Sequence, residues 1–351
     1  MQSKSLIQRW ALLASLSLAS VGCGEGFDPV SDLRSLRAIG VVKNKSYADP
    51  GDEITMELVW QDASKDAPRD VTIAWLPACF NPPGDLYFGC FAQFGDVSPG
   101  NMGALGEKLT FTIPEDIVSS RPPADPDNPT FGSAFGFFAL CAGDLVPLDP
   151  PPSKNALPLG CRDRTTGDLL GPDDFVAGYA QVMVSAEGFT NANPSITGFT
   201  VAGTEVETDC IGSECARPGT PIEPEPEPLD CADEANAARC IATCEDDGDD
   251  TCPNIQISPI VSRDSAELDE VAARYYGRND TEQLWIDYYS DRGTVRSPAR
   301  LLNDATEGWN DDYGVEFWAP KEPGPLSVWA AVHDNRGGAD FVRVRLQAEQ
   351  R

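Results

Sequence analysis

The sequence predicts an all-β protein built from two antiparallel β-sandwiches, the second interrupted by a disulfide-rich acidic insert. Three observations support this fold class. Apolar and polar residues alternate over short segments, as they do in strands with one buried face. Glycine and proline are abundant (31 and 30 residues) and mark turns between these segments. No helical period separates the segments, which favours antiparallel pairing over a parallel sheet with crossover helices.

The first sandwich is predicted over residues 36–190. In the segment 54–60, Ile, Met, Leu and Trp lie on one face after a turn at 49–52. Further strands are predicted at the segments 71–75, 109–113, 135–141 and 175–184. The segment 135–141 (Phe-Gly-Phe-Phe-Ala-Leu-Cys) is apolar throughout, so we expect it to be covered on both faces.

The second sandwich is predicted over residues 194–351. Its first strand lies at 194–201, and strand signals resume at 255–261 with a short helix expected at 265–276. The clearest signal is a closing β-hairpin, in which two alternating strands at 326–332 and 339–346 flank an Asn/Gly-rich turn.

The insert, residues 205–253, differs from both flanks. It holds six cysteines, the Pro-Glu run 221–228, and fifteen acidic residues against two arginines. Alternating Pro-Glu is stiff and self-repelling, and a segment this polar cannot bury a core. We therefore expect disulfides to hold whatever structure it has.

The cysteine count supports an exported protein with bridges. Of eleven cysteines, ten lie beyond the N-terminal segment and are disulfide candidates: Cys79, Cys90, Cys141, Cys161, Cys210, Cys215, Cys231, Cys240, Cys244 and Cys252. Sequence proximity favours the pairs Cys79–Cys90 and Cys141–Cys161, and a bridge Cys244–Cys252 that closes an acidic loop. The remaining pairings stay open.

Residues 1–22 have the pattern of a secretory signal: the cations Lys4 and Arg9, an apolar run, and small residues before Cys23. This arrangement resembles the lipobox of bacterial lipoproteins, although Ser20 stands where the strong form has Leu. The resemblance implies lipidation of Cys23 and a short polar tether over residues 23–35. Because the chain carries a formal charge of −30, it would repel nucleic acid and anionic head groups. The lipid is therefore the expected contact with the membrane.

Two segments carry a further resemblance. The hairpin segment 328–338 (Val-Trp-Ala-Ala-Val-His-Asp-Asn-Arg-Gly-Gly) and the turn and strand at 49–58 resemble bacterial immunoglobulin-like and polycystic-kidney-type domains. The resemblance implies that both sandwiches are immunoglobulin-like. The whole layout is similar to cysteine-rich lipoproteins of Gram-negative bacteria, which implies an outer-membrane location, on the periplasmic or the surface-exposed face, but no activity.

Residues that could carry catalysis are scarce. His333 is the only histidine, so no multi-histidine metal site can form, and no Gly-x-Ser-x-Gly nucleophile motif is present. We expect no catalytic residues and no enzymatic activity. A carbohydrate-active enzyme with two carboxylates is the remaining enzymatic alternative.

Two weak binding signals remain. Asp246, Asp247, Asp249 and Asp250 surround a glycine and could hold calcium, but their spacing fails the EF-hand pattern and a solvated acidic loop is the favoured interpretation. Apart from calcium, no cofactor is expected. Aromatic residues concentrate in the last third of the chain, where Trp309 and Trp318 are candidates for stacking on a ligand.

We expect a non-catalytic envelope lipoprotein that displays immunoglobulin-like domains to bind a protein or glycan, and no nucleic acid. A structural subunit of an outer-membrane complex is the alternative.

Overall fold

The computed structural model describes residues 30–85, 87–91, 93–94, 101–122, 128–148, 157–216, 228–244 and 252–350, and residues 31–351 belong to one compact unit. The fold is all-β, as predicted. Strands in the first half are β1 (Leu36–Lys43), β2 (Tyr47–Ala48), β3 (Glu53–Asp62), β4 (Thr72–Trp75), β5 (Cys79–Phe80), β6 (Ala104–Leu105), β7 (Lys108–Thr112), β8 (Gly132–Cys141), β9 (Asp144–Pro147), β10 (Leu159–Arg162) and β11 (Phe175–Val184).

The second half contributes twelve strands and one short α-helix within the described residues. These are β12 (Ile196–Val201), β13 (Thr204–Val206), β14 (Cys210–Ile211), β15 (Cys240–Ala242), β16 (Asn254–Val261), α1 (Glu270–Tyr276), β17 (Leu284–Ser290), β18 (Thr294–Val295), β19 (Ala299–Asp304), β20 (Gly308–Trp309), β21 (Val315–Trp318), β22 (Gly324–Asp334) and β23 (Ala339–Glu349). Single 3-10 turns lie at Pro83–Asp85, Tyr87–Cys90, Gly212–Ala216, Glu234–Arg239 and Arg263–Ser265.

Each half forms a sandwich of two sheets. In the first sandwich the inner sheet has the order β1-β3-β7, and the outer sheet has the order β2-β11-β8-β4-β6 with β5 also paired to β8. In the second sandwich the inner sheet has the order β14-β23-β22-β17-β19-β20 with β15 also paired to β23, and the outer sheet has the order β13-β12-β16-β21-β18. Pairing is antiparallel except at β2–β11 and β15–β23.

The two inner sheets pack against each other, so the four sheets form successive layers. Alternation along β22 shows this directly: Leu326, Val328, Ala330 and Val332 face the core of the second sandwich, while Trp329 and Ala331 face the first. The core between the sandwiches is formed by Leu33, Ile39, Val59, Trp329, Ala331, Ala339 and Phe341.

Residues 31–35, which we expected in the polar tether, belong to this packed region. Leu33 is buried, and its N–H donates to Ser290 O at 2.8 Å, while Ser290 N–H donates to Ser31 O at 2.9 Å. The apolar Leu33 explains why these residues join the fold.

Charged side chains are also buried where the sandwiches meet. Lys43 Nζ donates to Gln181 O at 2.6 Å, and burial lowers the pKa of Lys43 to about 8. Arg336, in the turn of the closing hairpin, forms an ion pair with the fully buried Glu282 and donates to Thr190 O at 3.1 Å. Because Thr190 precedes β12 and Arg336 follows β22, this contact ties the linker between the sandwiches to the hairpin.

Several predicted elements are confirmed, and one is wrong in its extent. All ten residues of β8 are buried, and the closing hairpin pairs β22 with β23. The helix expected at 265–276 is only α1, because the Asp269 side chain accepts from Ala272 N–H at 2.9 Å and caps the helix there.

The described part of the insert is not held by disulfides alone, contrary to our expectation. Strands β14 and β15 both pair with β23, and Ile241 is buried in the core of the second sandwich. Each of these short strands carries an apolar residue, Ile211 in β14 and Ile241 in β15, that packs in or against this core.

Candidate binding pocket

The outer face of the first sandwich carries an aromatic surface. Side chains alternate along β8, so that Phe138 and Leu140 face the sandwich core while Phe135 and Phe137 face outward. Tyr179 on β11 is the cross-strand partner of Phe137 and lies on the same outward face. An outer face this apolar needs a cover, because exposed apolar patches of this kind are unfavourable in water.

Two disulfide-linked segments provide that cover. Cys79–Cys90 closes a loop that ends in the turn Tyr87–Cys90, and Cys141–Cys161 connects β8 to the hairpin β9–β10. Both bridges were predicted from the sequence. They hold their loops against the outward-facing residues of β8.

A pocket of about 480 Å³ remains between the loop and the sheet. Its lining is almost entirely aromatic and apolar: Tyr87, Phe88, Phe91, Phe137, Phe138, Leu157, Ala177, Gly178 and Tyr179. The rings of Tyr87 and Tyr179 stack with their centroids 4.3 Å apart, and Phe91 packs 5.5 Å from Phe137. Tyr179 is 44% exposed and Phe88 is 36% exposed, so these two rings are open to solvent.

The residues that line this pocket offer mainly apolar contacts to a bound group. Among the described lining residues only Tyr87 and Tyr179 carry polar side-chain atoms, their phenol hydroxyls. Binding sites commonly combine such an apolar lining with a few polar groups. The pocket can therefore receive an apolar or aromatic group and orient it by ring contacts.

Sequence reasoning did not find this pocket. The signal was present in the loop Cys79–Cys90 and just after it, because Tyr87, Phe88 and Phe91 are unusual in a solvent-exposed loop. The aromatic-rich last third of the chain drew attention to Trp309 and Trp318 instead.

The structure does not bring Trp309 and Trp318 together as a stacking surface. Trp309 lies in the inner sheet of the second sandwich and Trp318 in its outer sheet. The guanidinium of Arg263 lies over Trp309 at 5.6 Å, and that of Arg296 over Trp318 at 5.7 Å. Each indole thus already has a cation on its face, which sequence alone could not show.

The other predicted sites have different outcomes. All ten cysteine candidates form bridges, with the three further pairs Cys210–Cys215, Cys231–Cys240 and Cys244–Cys252. Cys23 and the calcium candidates Asp246, Asp247, Asp249 and Asp250 lie outside the described residues. Within the described ranges, no group of three or more His, Cys, Asp or Glu side chains is arranged to hold a metal ion.

His333 occupies a packed position near the end of β22. Its ring stacks on Trp285 with centroids 5.5 Å apart, and Nε2 lies 3.5 Å from Asp287 Oδ2. Burial lowers the pKa of His333, although Asp287 and Asp334 oppose that shift. Nothing around it forms a nucleophile–base arrangement among the described residues.

No helix among all the residues that the structure describes is long and apolar enough to cross a bilayer.

Comparison with known proteins yields only remote similarity. No protein-family model and no curated protein sequence matches the chain. Among solved structures, the fibronectin(III)-like modules of Clostridium thermocellum CbhA align over 90% of this chain and 94% of theirs, with 7% identity and a TM-score of 0.20. The Yersinia pseudotuberculosis adhesin InvE aligns over 90% of this chain and 60% of its own, with 9% identity and a TM-score of 0.19. TM-scores this low carry no argument about function.

The sheets themselves define the class. The chain is a cysteine-rich, disulfide-bonded, all-β protein of two β-sandwiches.

Proposed function

We propose that this chain is a non-catalytic lipoprotein of the cell envelope that binds a protein partner through the aromatic pocket of its first sandwich. The pocket carries the proposal. It presents half-exposed rings on a rigid sheet and a disulfide-linked loop, which is the arrangement expected of a site that receives an apolar or aromatic side chain.

A protein ligand fits the lining better than a glycan does. Sugar sites need several hydrogen-bonding groups around the stacking ring, and the described lining offers only the hydroxyls of Tyr87 and Tyr179. Rigid aromatic residues are also the side chains that most often anchor protein interfaces.

Photocrosslinking tests the pocket directly. A benzophenone amino acid is placed at Phe88 in the full chain expressed in its native host, and Tyr276 serves as the control. Tyr276 is more exposed than Phe88, at 52% against 36%, and lies on α1 in the second half. We expect a discrete protein adduct from position 88 and none from position 276. No adduct at 88, or the same adducts from both positions, would contradict the proposal.

A glycan array with the purified protein separates the two ligand classes. We expect no glycan whose binding is lost in Tyr179→Ala. A glycan bound by the wild type and lost in that variant would replace the protein partner by a carbohydrate.

The lipid anchor is proposed from Cys23 and the segment that precedes it. The intact mass of the membrane-extracted protein should show cleavage before Cys23, an added diacylglyceryl group and acyl chain, and five bridges. Cys23→Ser should move the protein from the membrane fraction to the wash. A wild-type mass without lipid would overturn the anchor while leaving the pocket untouched.

A further inference from the structure

Strand β11 leaves most of one edge without a neighbouring strand. On one side, β11 pairs with β8 along its whole length. On the other side, β2 pairs only with the last two residues, Met183 and Val184. We call residues 175–179, which have no strand beside them on that side, the open edge.

Hydrogen bonds further along β11 show which backbone groups face away from β8. Met183 N–H donates to Ser46 O at 3.0 Å, and Lys43 Nζ donates to Gln181 O at 2.6 Å. Both contacts lie on the side opposite to β8. Because successive residues of a strand direct their backbone groups to alternate sides, the odd-numbered residues of β11 face away from β8.

Three residues of the open edge therefore direct their backbone groups away from the sheet. No described residue pairs with the outward N–H and C=O groups of Phe175, Ala177 and Tyr179. Ala177 and Tyr179 are also exposed. A row of unpaired donors and acceptors of this kind is a template for one more strand.

Other edge strands of the described sheets are protected against such pairing. In the first sandwich, β1 carries Arg37 and Lys43 and has a bulge between Ala38 and Gly40, and β7 begins with Lys108. The edge strands β6, β13 and β18 are each three residues long or shorter. Charges, bulges and short length are the usual means by which proteins prevent sheets from joining edge to edge.

Strand β11 has none of these protections. It is ten residues long, and none of the ten is charged or a proline. Its register with β8 runs without a bulge from Phe175 to Val184. An uncharged edge of this length stands out in a chain with a formal charge of −30. These features favour an edge that pairs with another strand.

The open edge is complementary to itself. Its outward backbone groups are centred on Ala177, so a two-fold axis beside this residue would place Ala177 opposite Ala177 of a second copy. The same axis would place Phe175 of each copy opposite Tyr179 of the other. Every outward N–H and C=O group would then have a partner, with an aromatic cross-strand pair on each side of the small residues at the axis.

The properties of β11 favour a second copy over an unrelated flexible peptide. Antiparallel pairing of identical strands is the arrangement that a two-fold axis produces. No like charges meet across the axis, because β11 carries none. A strand that is already ordered also loses less backbone freedom on pairing than a flexible peptide does.

We infer that this chain forms a two-fold dimer in which the β11 strands of two copies pair antiparallel along their open edges. The outer sheets of the two first sandwiches become one continuous sheet. Because the side chains of paired residues lie on the same face of a sheet, both aromatic pockets open on one face of the dimer. The dimer does not depend on the function proposed for the pocket.

The strength of the dimer follows from its small contact. A single strand edge is a small interface, at or below the roughly 1,200 Å² at which stable interfaces begin. We therefore expect a reversible dimer that dissociates on dilution.

Disulfide cross-linking tests the pairing and its register in the full chain expressed in its native host. Residues of a hydrogen-bonded antiparallel pair have Cα atoms about 5.5 Å apart, which suits a disulfide. Ala177→Cys should therefore give a covalent dimer on mild oxidation of the membranes. Tyr179→Cys should not, because the two substituted residues would be on the order of 13 Å apart.

Leu105→Cys is the matched control for chance collisions. Leu105 is 70% exposed and lies on β6, the edge strand at the far side of the same sheet. We expect no dimer from this position.

A proline at the axis tests the hydrogen bonds themselves. In Ala177→Pro the outward N–H is lost, but no bond to β8 is removed, so the fold should tolerate the change. Sedimentation velocity of the purified full chain in a density-matched detergent should show a dissociation constant at least tenfold higher than in the wild type. Ala177→Ser, which keeps the N–H, should dimerise as the wild type does. Thermal unfolding of both variants should match the wild type within a few degrees.

Several results would overturn the inference. These are no dimer from Ala177→Cys, an equal yield of dimer from Leu105→Cys or Tyr179→Cys, and an unchanged dissociation constant in Ala177→Pro. An adduct between position 177 and a different protein would assign the open edge to that protein and not to a second copy. A cross-linked dimer has twice the mass of the chain, which distinguishes it from the partner adduct expected at Phe88.

Discussion

The ring of Phe341 in the second sandwich occupies the space in which a side chain on Gly40 of the first sandwich would begin. A Cβ atom built on Gly40 would lie 2.4 Å from Phe341 Cζ and 2.6 Å from Cε1. Carbon atoms do not approach this closely without displacement of one group. The contact between the sandwiches therefore depends on a glycine at this position of β1.

Gly40→Ala should destabilise the protein by about 1–3 kcal/mol, because the added methyl group overpacks the core between the sandwiches. Denaturant unfolding measures the effect. Gly171→Ala is the matched control, since nothing lies within 4 Å of a Cβ at that position. Combined with Phe341→Leu, the Gly40→Ala change should cost less than it does alone. Strict additivity in this double-mutant cycle would argue against a direct contact.

Arg69→Met should destabilise the protein by about 3 kcal/mol at neutral pH, because it leaves a buried carboxylate unpaired. Arg69 donates to both oxygens of Asp62, at 2.8 and 2.9 Å, and the Asp62 side chain is only 1% exposed. Arg278→Met, at an exposed ion pair with Asp280, should cost less than about 1 kcal/mol.

The ion pair between Arg69 and Asp62 also makes the stability of the protein depend on pH. Burial alone would raise the pKa of Asp62, but hydrogen bonds from Arg69 and Ser64 hold it below its ordinary value. Its contribution to stability is therefore present above about pH 4 and is lost as the pH falls through the lowered pKa. The difference in unfolding free energy between wild type and Arg69→Met should shrink on acidification. A constant difference from pH 7 to pH 3 would contradict this explanation.

The stability contribution of Asp291, a buried carboxylate that accepts hydrogen bonds from Ser327 and Gln61, should depend on pH in the opposite direction. Burial raises its pKa to about 6, against hydrogen bonds from Ser327 and Gln61 that lower it. The folded chain therefore binds a proton between about pH 6 and pH 4 that the unfolded chain does not bind, and stability from this group rises as the pH falls through that range. Relative to Asp291→Asn, the wild type should gain on the order of 2 kcal/mol from pH 7.5 to pH 4.

Asp304→Asn is the control for this measurement. Backbone N–H groups of Glu307 and Thr306 lower the pKa of Asp304, so the wild type should lose stability relative to this variant on acidification. If the difference in unfolding free energy between wild type and variant changed with pH in the same way for Asp291→Asn and Asp304→Asn, the raised pKa of Asp291 would not be the cause of the pH dependence.

Loss of the Cys141–Cys161 bridge should cost more than loss of Cys210–Cys215. Their sequence separations are 20 and 5 residues, which corresponds to about 3 and 2 kcal/mol in the loop-closure model. Paired Cys→Ala variants measured by thermal unfolding test the order. A larger loss from the Cys210–Cys215 variant would mean that this bridge stabilises the native sheet edge and not only the unfolded chain.

Local patterns in the sequence were enough to predict the strands and the closing hairpin. Alternation at 54–60 and 326–332 predicts which residues share a face of a strand, and the apolar run at 135–141 predicts a strand that is covered on both faces. Alternation does not predict which other part of the chain packs on a given face. The packing of Phe341 on Gly40 links positions three hundred residues apart and leaves no local signal.

The aromatic content of the last third indicated Trp309 and Trp318 as ligand contacts, and that assignment stays a prediction. The sequence could not show that Arg263 and Arg296 lie over their rings in the fold. The pocket rings instead lie near Cys90, in a loop whose position on the sheet is set by a bridge and by the outward face of β8. Both features depend on tertiary structure.

Strand β23 has a consequence for the order of assembly. It pairs with β14, β15 and β22, and its two faces enter both the core of the second sandwich and the core between the sandwiches. It is also the last strand to be synthesised in the described chain. Until it emerges, the edge strands of the insert have no neighbour and Gly40 has no ring above it. Such long-range closure slows folding, so the strands that precede β23 must wait for it in an incomplete state with apolar surface exposed.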